Sequence, residues 1–205
     1  VHSLNLNDGE IVARVLRDFN DGRTVLGAIG TAMHRRLNGV ETFSELRSAA
    51  YTGGVDLRHR FKGGRYQMTA YVLGARVQGS AESIDATQRS PSRYFQRPDA
   101  SHLTYDPTRT SLSGAGAFTE IWKSGGSWRW GASGRLVTPG FEANDLGYQP
   151  GSDFVSHSNW IGYESYRQTR HFRRWWWYLN TLAWWNTAGE RQGLRVFFNG
   201  DAEMP

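Results

Sequence analysis

The chain has 205 residues, a formal charge of +5, a mean hydropathy of −0.59 and no cysteine. That length allows one domain with a sizeable core; the missing cysteines exclude a disulfide framework and any thiolate metal site. No stretch approaches the ~18 consecutive apolar residues of a membrane helix, and the arginines are spread along every segment without the basic helix or module pattern of a nucleic-acid binder. What departs from an ordinary soluble composition is 24 glycines together with 9 Trp, 9 Tyr and 10 Phe.

In chain order, Val1 to Glu10 is polar and holds no signal peptide, so an exported protein would carry its signal upstream of this chain. The next segments read as hairpins. Asn20-Asp21-Gly22-Arg23 is a tight turn between runs 10–19 and 24–37. Lys62-Gly63-Gly64 separates 51–61 from 65–78, and Ser124-Gly125-Gly126 separates 109–123 from 127–138. A looser polar turn at Arg167–His171 joins 154–166 to 172–186, and a ninth run begins near Gly193.

Several runs alternate with period two, the signature of strands. In 51–61 one side carries Tyr51, Gly53, Val55, Leu57 and Phe61, and the other Thr52, Gly54, Asp56, Arg58 and Arg60. In 127–136 one side is Trp128, Trp130, Ala132, Gly134 and Leu136, and the other Ser127, Arg129, Gly131, Ser133 and Arg135. Trp175-Trp176-Trp177 must therefore send adjacent rings to opposite faces. The first and eighth runs alternate poorly.

Short turns alternate with longer links at 38–50, 79–108, 139–153 and 187–192. Transmembrane barrels have this asymmetry. The runs are also longer than the ~5–6 residues of globular strands and match the ~9–11 residues needed to cross a bilayer at a tilt. Aromatics gather beside the short turns: Phe19, Phe61, Tyr66, Trp122, Trp128, Trp130, Tyr163, Tyr166, Phe172 and Trp175 to Trp177. At one height they would form an interfacial belt. The expectation is an all-β, antiparallel up-and-down transmembrane barrel segment of about eight to nine strands, occupying 1–205 as one domain. The odd ninth run and the ending at Met204-Pro205, without a terminal aromatic, make it part of a larger barrel. A soluble all-β module that stacks exposed Trp and Tyr on sugars is the alternative.

No catalytic centre, cofactor or metal site is expected. None of the six histidines, His2, His34, His59, His102, His157 and His171, has metal-ligand spacing. Ser111 and Ser113 lie where a strand continues rather than at a nucleophile elbow. The link carboxylates Asp99, Asp106, Glu142, Asp145 and Asp153 read as turn formers and solvating groups. On the strands, Arg58, Arg60, Arg129 and Arg135 lie opposite the apolar side and would face a lumen, pairing with acids such as Asp56 or tuning solute passage. In the longest link, Tyr94, Phe95, Arg97, Asp99 and His102, with Tyr105, are candidate ligand contacts; a self-packed loop or an inward plug would use the same residues.

Three stretches carry a family resemblance: Arg93-Tyr-Phe-Gln-Arg-Pro-Asp99, Asp106-Pro-Thr-Arg-Thr-Ser-Leu-Ser-Gly114, and Pro139-Gly-Phe-Glu-Ala-Asn-Asp-Leu-Gly-Tyr148. They resemble segments of a large bacterial outer-membrane family of unassigned function. In it, a domain like the family-nine carbohydrate-binding modules precedes a C-terminal barrel. The hairpin strand Tyr51–Phe61 also resembles its barrel strands, so that the likeness runs from about residue 10 to 198. The resemblance implies an outer-membrane location, a lipid-bilayer partner and a link to polar or saccharide solutes. It supplies no catalytic residue.

Overall fold

In the computed structural model, which describes residues 9–37, 45–98, 100–145 and 148–204, the chain forms one open antiparallel sheet. Its strands are β1 (Gly9–Phe19), β2 (Thr24–His34), β3 (Ala49–Phe61), β4 (Tyr66–Gln78), β5 (Ser111–Lys123), β6 (Trp128–Val137), β7 (Phe154–Ser165), β8 (Arg174–Trp185) and β9 (Arg191–Glu203), each paired with its chain neighbours. The up-and-down antiparallel order is thus as expected. The sheet does not close: β1 and β9 are its two edges.

The first two hairpins turn in the same way. Asn20, Asp21 and Gly22 have φ of 54°, 56° and 74°, and Lys62, Gly63 and Gly64 have 50°, 66° and 80°. Left-handed backbone at successive residues matches the twist of the flanking strands, and glycine in the last position carries no Cβ penalty. These turns, with those at 124–127 and 166–173, define a turn end of the sheet. The links 35–48, 79–110, 138–153 and 186–190 define the opposite, loop end.

The 79–110 link holds a helix that periodicity did not reveal, α1 (Ala81–Arg89). Ser80 caps it by accepting a hydrogen bond from the Ser83 amide at 3.1 Å. Its sequence, Ala-Glu-Ser-Ile-Asp-Ala-Thr-Gln-Arg, has a single large aliphatic, Ile84, which is fully buried. One anchor in nine residues leaves no 3.6-residue apolar repeat to read.

Register fixes the two faces, because directly paired residues project to the same side. Every carboxylate borne by a strand lies on one face: Glu10, Asp18, Asp56, Glu120, Glu164, Asp201 and Glu203. Ile11, Val15, Leu26, Val55, Leu57, Met68, Val72, Ile121, Ile161, Leu179, Leu194, Val196 and Phe198 lie on the other. Val15, Val55, Val72, Val196 and Phe198 are all more than half exposed.

Side chains crowd the charged face and spread apart on the apolar one. A Cβ at Gly131 would sit 2.4 Å from Trp160 Nε1, and one at Gly162 2.2 Å from Tyr178 Cδ1. On the apolar face a Cβ at Gly30 or Gly74 would meet nothing within 4 Å. Convergence on one side and divergence on the other make the sheet concave toward its charges. Gly131→Ala should therefore cost about 2 kcal/mol by displacing Trp160. Gly74→Ala should be neutral or stabilise by up to about 1 kcal/mol. Urea unfolding followed by tryptophan fluorescence distinguishes the two.

Candidate functional site on the charged face

At the loop end the described parts of the three long links pack together over the concave face. Met33, Ala50, Val77 and Leu112 form one transverse row through β2 to β5, and Ile84 of α1 and Phe95 pack onto it. A second row, Ala75 and Val137, receives Phe141 from the 138–153 link. The longest link is thus partly self-packed and partly laid on the sheet. Within it, the fully buried Gln88 pairs with the backbone of Asp106: its amide Nε2 donates to the Asp106 carbonyl at 2.8 Å, and its Oε1 accepts from the Asp106 amide at 3.1 Å. The two bonds satisfy a buried polar group as a strand partner would. Asp106 is the turn former expected of it. Its carboxylate accepts from the Thr108 hydroxyl and amide, which holds its pKa below the usual carboxylate value.

Two ionic clusters fasten the links. In the first, Arg93, whose side chain is fully buried, donates through Nη2 to Glu142 Oε2 at 2.6 Å. Arg47 lies 3.5 Å from the same carboxylate and 2.7 Å from Asp145, which also accepts from Arg35 at 2.8 Å. Burial lowers the pKa of Arg93, with the Glu142 charge opposing that shift. A buried cation of this kind persists only with its counter-charge in place.

The second cluster centres on Asp153, whose carboxylate is 2 % exposed. It accepts from the Thr187 hydroxyl at 2.5 Å and the Thr187 amide at 3.1 Å, and is bonded by Arg97 and, at 2.9 Å, by His102 Nε2. One side chain thereby ties the 79–110, 138–153 and 186–190 connections. Burial by itself raises the Asp153 pKa, and the bonds from Thr187 and His102 outweigh it, so the carboxyl stays ionised below the usual range.

Of the residues read as ligand contacts, Arg97 and His102 are thus brought together on Asp153. Phe95 is spent in the core, and Tyr94 is half exposed with φ of 50°. Asp99 lies outside the described residues. Glu142, Asp145 and Asp153, read as solvating groups, instead neutralise arginines. Only their partners' positions in the folded chain reveal this, since Arg35 and Asp145 are 110 residues apart.

Arg58, Arg60, Arg129 and Arg135 share the charged face. Asp56 is paired not with Arg58 or Arg60 but with Arg14 of β1 at 3.0 Å. Arg129 meets Glu164 at 3.1 Å, Arg60 lies 3.4 Å from Gln67 Oε1, and Arg135 lies 5.6 Å above the Phe154 ring. Among the described residues no group of His, Asp and Glu is placed to hold a metal ion.

A family model described as a domain of unknown function (DUF5916) matches residues 73–202, more than half of the chain. The chain belongs to this family. The matched region contains the three stretches 93–99, 106–114 and 139–148 that carry the resemblance, and it leaves β1 to β3 outside. Comparison with curated proteins and with solved structures finds no match.

Because Asp153 has a lowered folded-state pKa, its contribution is complete above the unfolded value of ~3.9 and is lost as pH falls through the lowered one. Asp153→Asn at neutral pH should mimic that loss, costing about 3 kcal/mol by stranding Arg97 and opening the link to trypsin at Arg93. Limited proteolysis with mass mapping reads this directly. A digestion pattern identical to that of the parent protein would contradict the role given to Asp153.

Proposed function

We propose that this sheet is part of the wall of a bacterial outer-membrane β-barrel, with its apolar face on lipid and its charged face on the lumen. The observation that carries the reading is the confinement of every strand carboxylate to the concave face. Charge is tolerated on a polar lumen side and costly against hydrocarbon.

The basic residues support the same division. On the apolar face, Arg17 and Lys123 sit at the turn end and Arg76 at the loop end, with a charge-free band between. From Tyr66 to Arg76 the chain advances roughly 33 Å at ~3.3 Å per residue. With a strand tilt of ~40° this spans about 25 Å, the height of a lipid-facing band. A row of rings borders the band at the turn end. Phe61 stacks on Tyr66 at 5.2 Å, Trp128 meets Tyr163 at 5.1 Å and Trp177 at 5.8 Å, and Trp177 lies 6.1 Å from Phe198. All project from the apolar face, where a belt at the membrane interface places Trp and Tyr. No helix of the described residues is long and apolar enough to cross a membrane, a statement that does not bear on strands.

The open edges fit a wall that continues into further strands, since unpaired backbone is not stable in hydrocarbon. In this reading the cap of links narrows the loop-end mouth. The work is passive: a channel wall that also anchors or displays other domains, for polar or saccharide solutes. The alternative, a soluble sugar-binding module, must find cover for the apolar band.

Val72→Arg, at mid-band, should destabilise the embedded protein by about 3 kcal/mol and reduce its recovery in the membrane fraction. Thr69→Arg, on the charged face of the same strand, should be tolerated. Brominated acyl chains should quench tryptophan fluorescence in the parent protein, with much of the quenching lost when Trp128, Trp130 and Trp177 are together replaced by Phe. A protein that stays soluble without detergent and is not quenched refutes the barrel and favours the module.

A further inference from the structure

The concave face of β7 to β9 carries an arrangement that the wall itself does not require. Three aromatic residues there each lie over a directly paired glycine on the neighbouring strand: Trp160 over Gly131, Tyr178 over Gly162 and Trp184 over Gly193. In each pair a Cβ on the glycine would come within 2.4 Å of the ring. Without a Cβ, each glycine lets the facing ring close onto the neighbouring strand, and the rings are inclined to one another, Trp160 at 61° and Trp176 at 55° to Tyr178. All three rings are accordingly half-buried. Trp176 extends the row toward the turn end, 5.6 Å from Tyr178, while Trp160 lies 5.6 Å from Tyr178 on its other side.

Polar groups of mixed character flank the rings. Asn180 and Asn199 join by a 3.0 Å hydrogen bond between their carboxamides. Glu164 accepts from the phenols of Tyr166 and Tyr178 and pairs with Arg129, so its charge is already answered. Beside them a hollow of about 310 Å³ is lined by Glu164, Tyr166, Arg174, Trp176, Tyr178 and Asn199. At the margin, Trp122 Nε1 and Arg129 Nε are donors without a hydrogen-bond partner among the described residues.

We infer that the rings of Trp160, Tyr178 and Trp184, seated over Gly131, Gly162 and Gly193 and continued by Trp176, form a stacking track for neutral oligosaccharides. A pyranose has an apolar C–H face suited to an aromatic plane. Its rim of hydroxyls both donates and accepts, as do Asn180, Asn199 and the tyrosine hydroxyls. A purely apolar guest would leave those groups unmatched. Most of the positive charge beside the rings is answered, because Glu164 pairs with Arg129 and Asp201 and Glu203 stand opposite Trp176 and Arg174, which leaves Arg195, opposite Leu182, as a further donor for sugar hydroxyls. Rings at successive heights along β7 and β8 let a chain molecule step from one platform to the next.

The inference rests on the barrel reading for the direction of travel, though not for the binding itself. Detergent-solubilised full-length protein is titrated with maltohexaose, cellohexaose and xylohexaose, followed by tryptophan fluorescence. At least one should give saturable quenching. Trp160→Ala or Trp184→Ala should weaken it about tenfold, and Asn199→Ala should weaken it severalfold. Trp130→Ala, on the apolar face, should leave affinity within about twofold. If Trp160→Ala and Trp184→Ala lose heat-modifiable mobility on gels, Trp160→Phe and Asn199→Ala carry the test. No saturable response from any of the three sugars in folded protein overturns the track. So does unchanged affinity in Trp160→Ala and Trp184→Ala. Saturable, track-dependent binding by a protein that brominated lipid does not quench keeps the track and removes the membrane barrel.

Discussion

The separation of charge from apolar surface across a single sheet is the constraint on which the other features depend. A pleated strand offers two sides, and a shift of one residue in pairing exchanges them. With all strand acids on one side, and the other side free of carboxylates and lined mid-strand by exposed aliphatics such as Val55 and Val72, each strand has one acceptable register, and eight successive pairings inherit it. Curvature follows from the same division. Glycines on the charged side admit neighbouring rings, whereas Gly30 and Gly74 on the apolar side remain uncovered. The concavity then provides both the place where the links dock and the place where the glycine-seated rings face inward.

The loop end and the turn end are held by different physics. At the turn end the hairpins are tight, the backbone is left-handed at Asn20, Asp21 and Lys62 as well as at the glycines that follow, and ring-on-ring contacts run across the strands. At the loop end the links are long and are held by a few apolar anchors and by arginines buried with their carboxylates. Such ion pairs are costly to desolvate, so their value lies less in net stability than in the arrangement they specify. Arg93 leaves few alternatives: fully enclosed, it needs Glu142, and Glu142 is held in turn by the Asn144 amide at 2.8 Å.

Much of this was legible in the chain itself. The strand runs and their tight turns stand close to where they were read, because period-two alternation and glycine-rich turns are local signals. The sidedness of Arg58, Arg60, Arg129 and Arg135 was legible for the same reason. The cap was not. Helix α1 has one aliphatic anchor, and the pairing of Arg35 with Asp145 or Arg97 with Asp153 depends on contacts between distant links. The aromatic–glycine pairs were hidden too, since they appear only when β6 to β9 are placed in register. Trp160 and Gly131 are unremarkable until the ladder sets them opposite each other.

Asp153 makes the loop end a single cooperative unit. Three connections share one anchor, and a perturbation in any of them reaches the other two through it. At the opposite end the fastening is local: Glu164 joins only the last two turns through Arg129, Tyr166 and Tyr178, and the earlier turns touch only their neighbours, as where the Ser124 amide donates to the Arg65 carbonyl at 3.0 Å. Foreign peptide inserted at Asp21–Gly22, where a Cβ on the glycine would meet nothing, would therefore be carried as a local passenger. The same insertion beside Thr187 would be felt in segments scores of residues away. Evolutionary drift in length and composition has more freedom at one rim of the sheet than at the other.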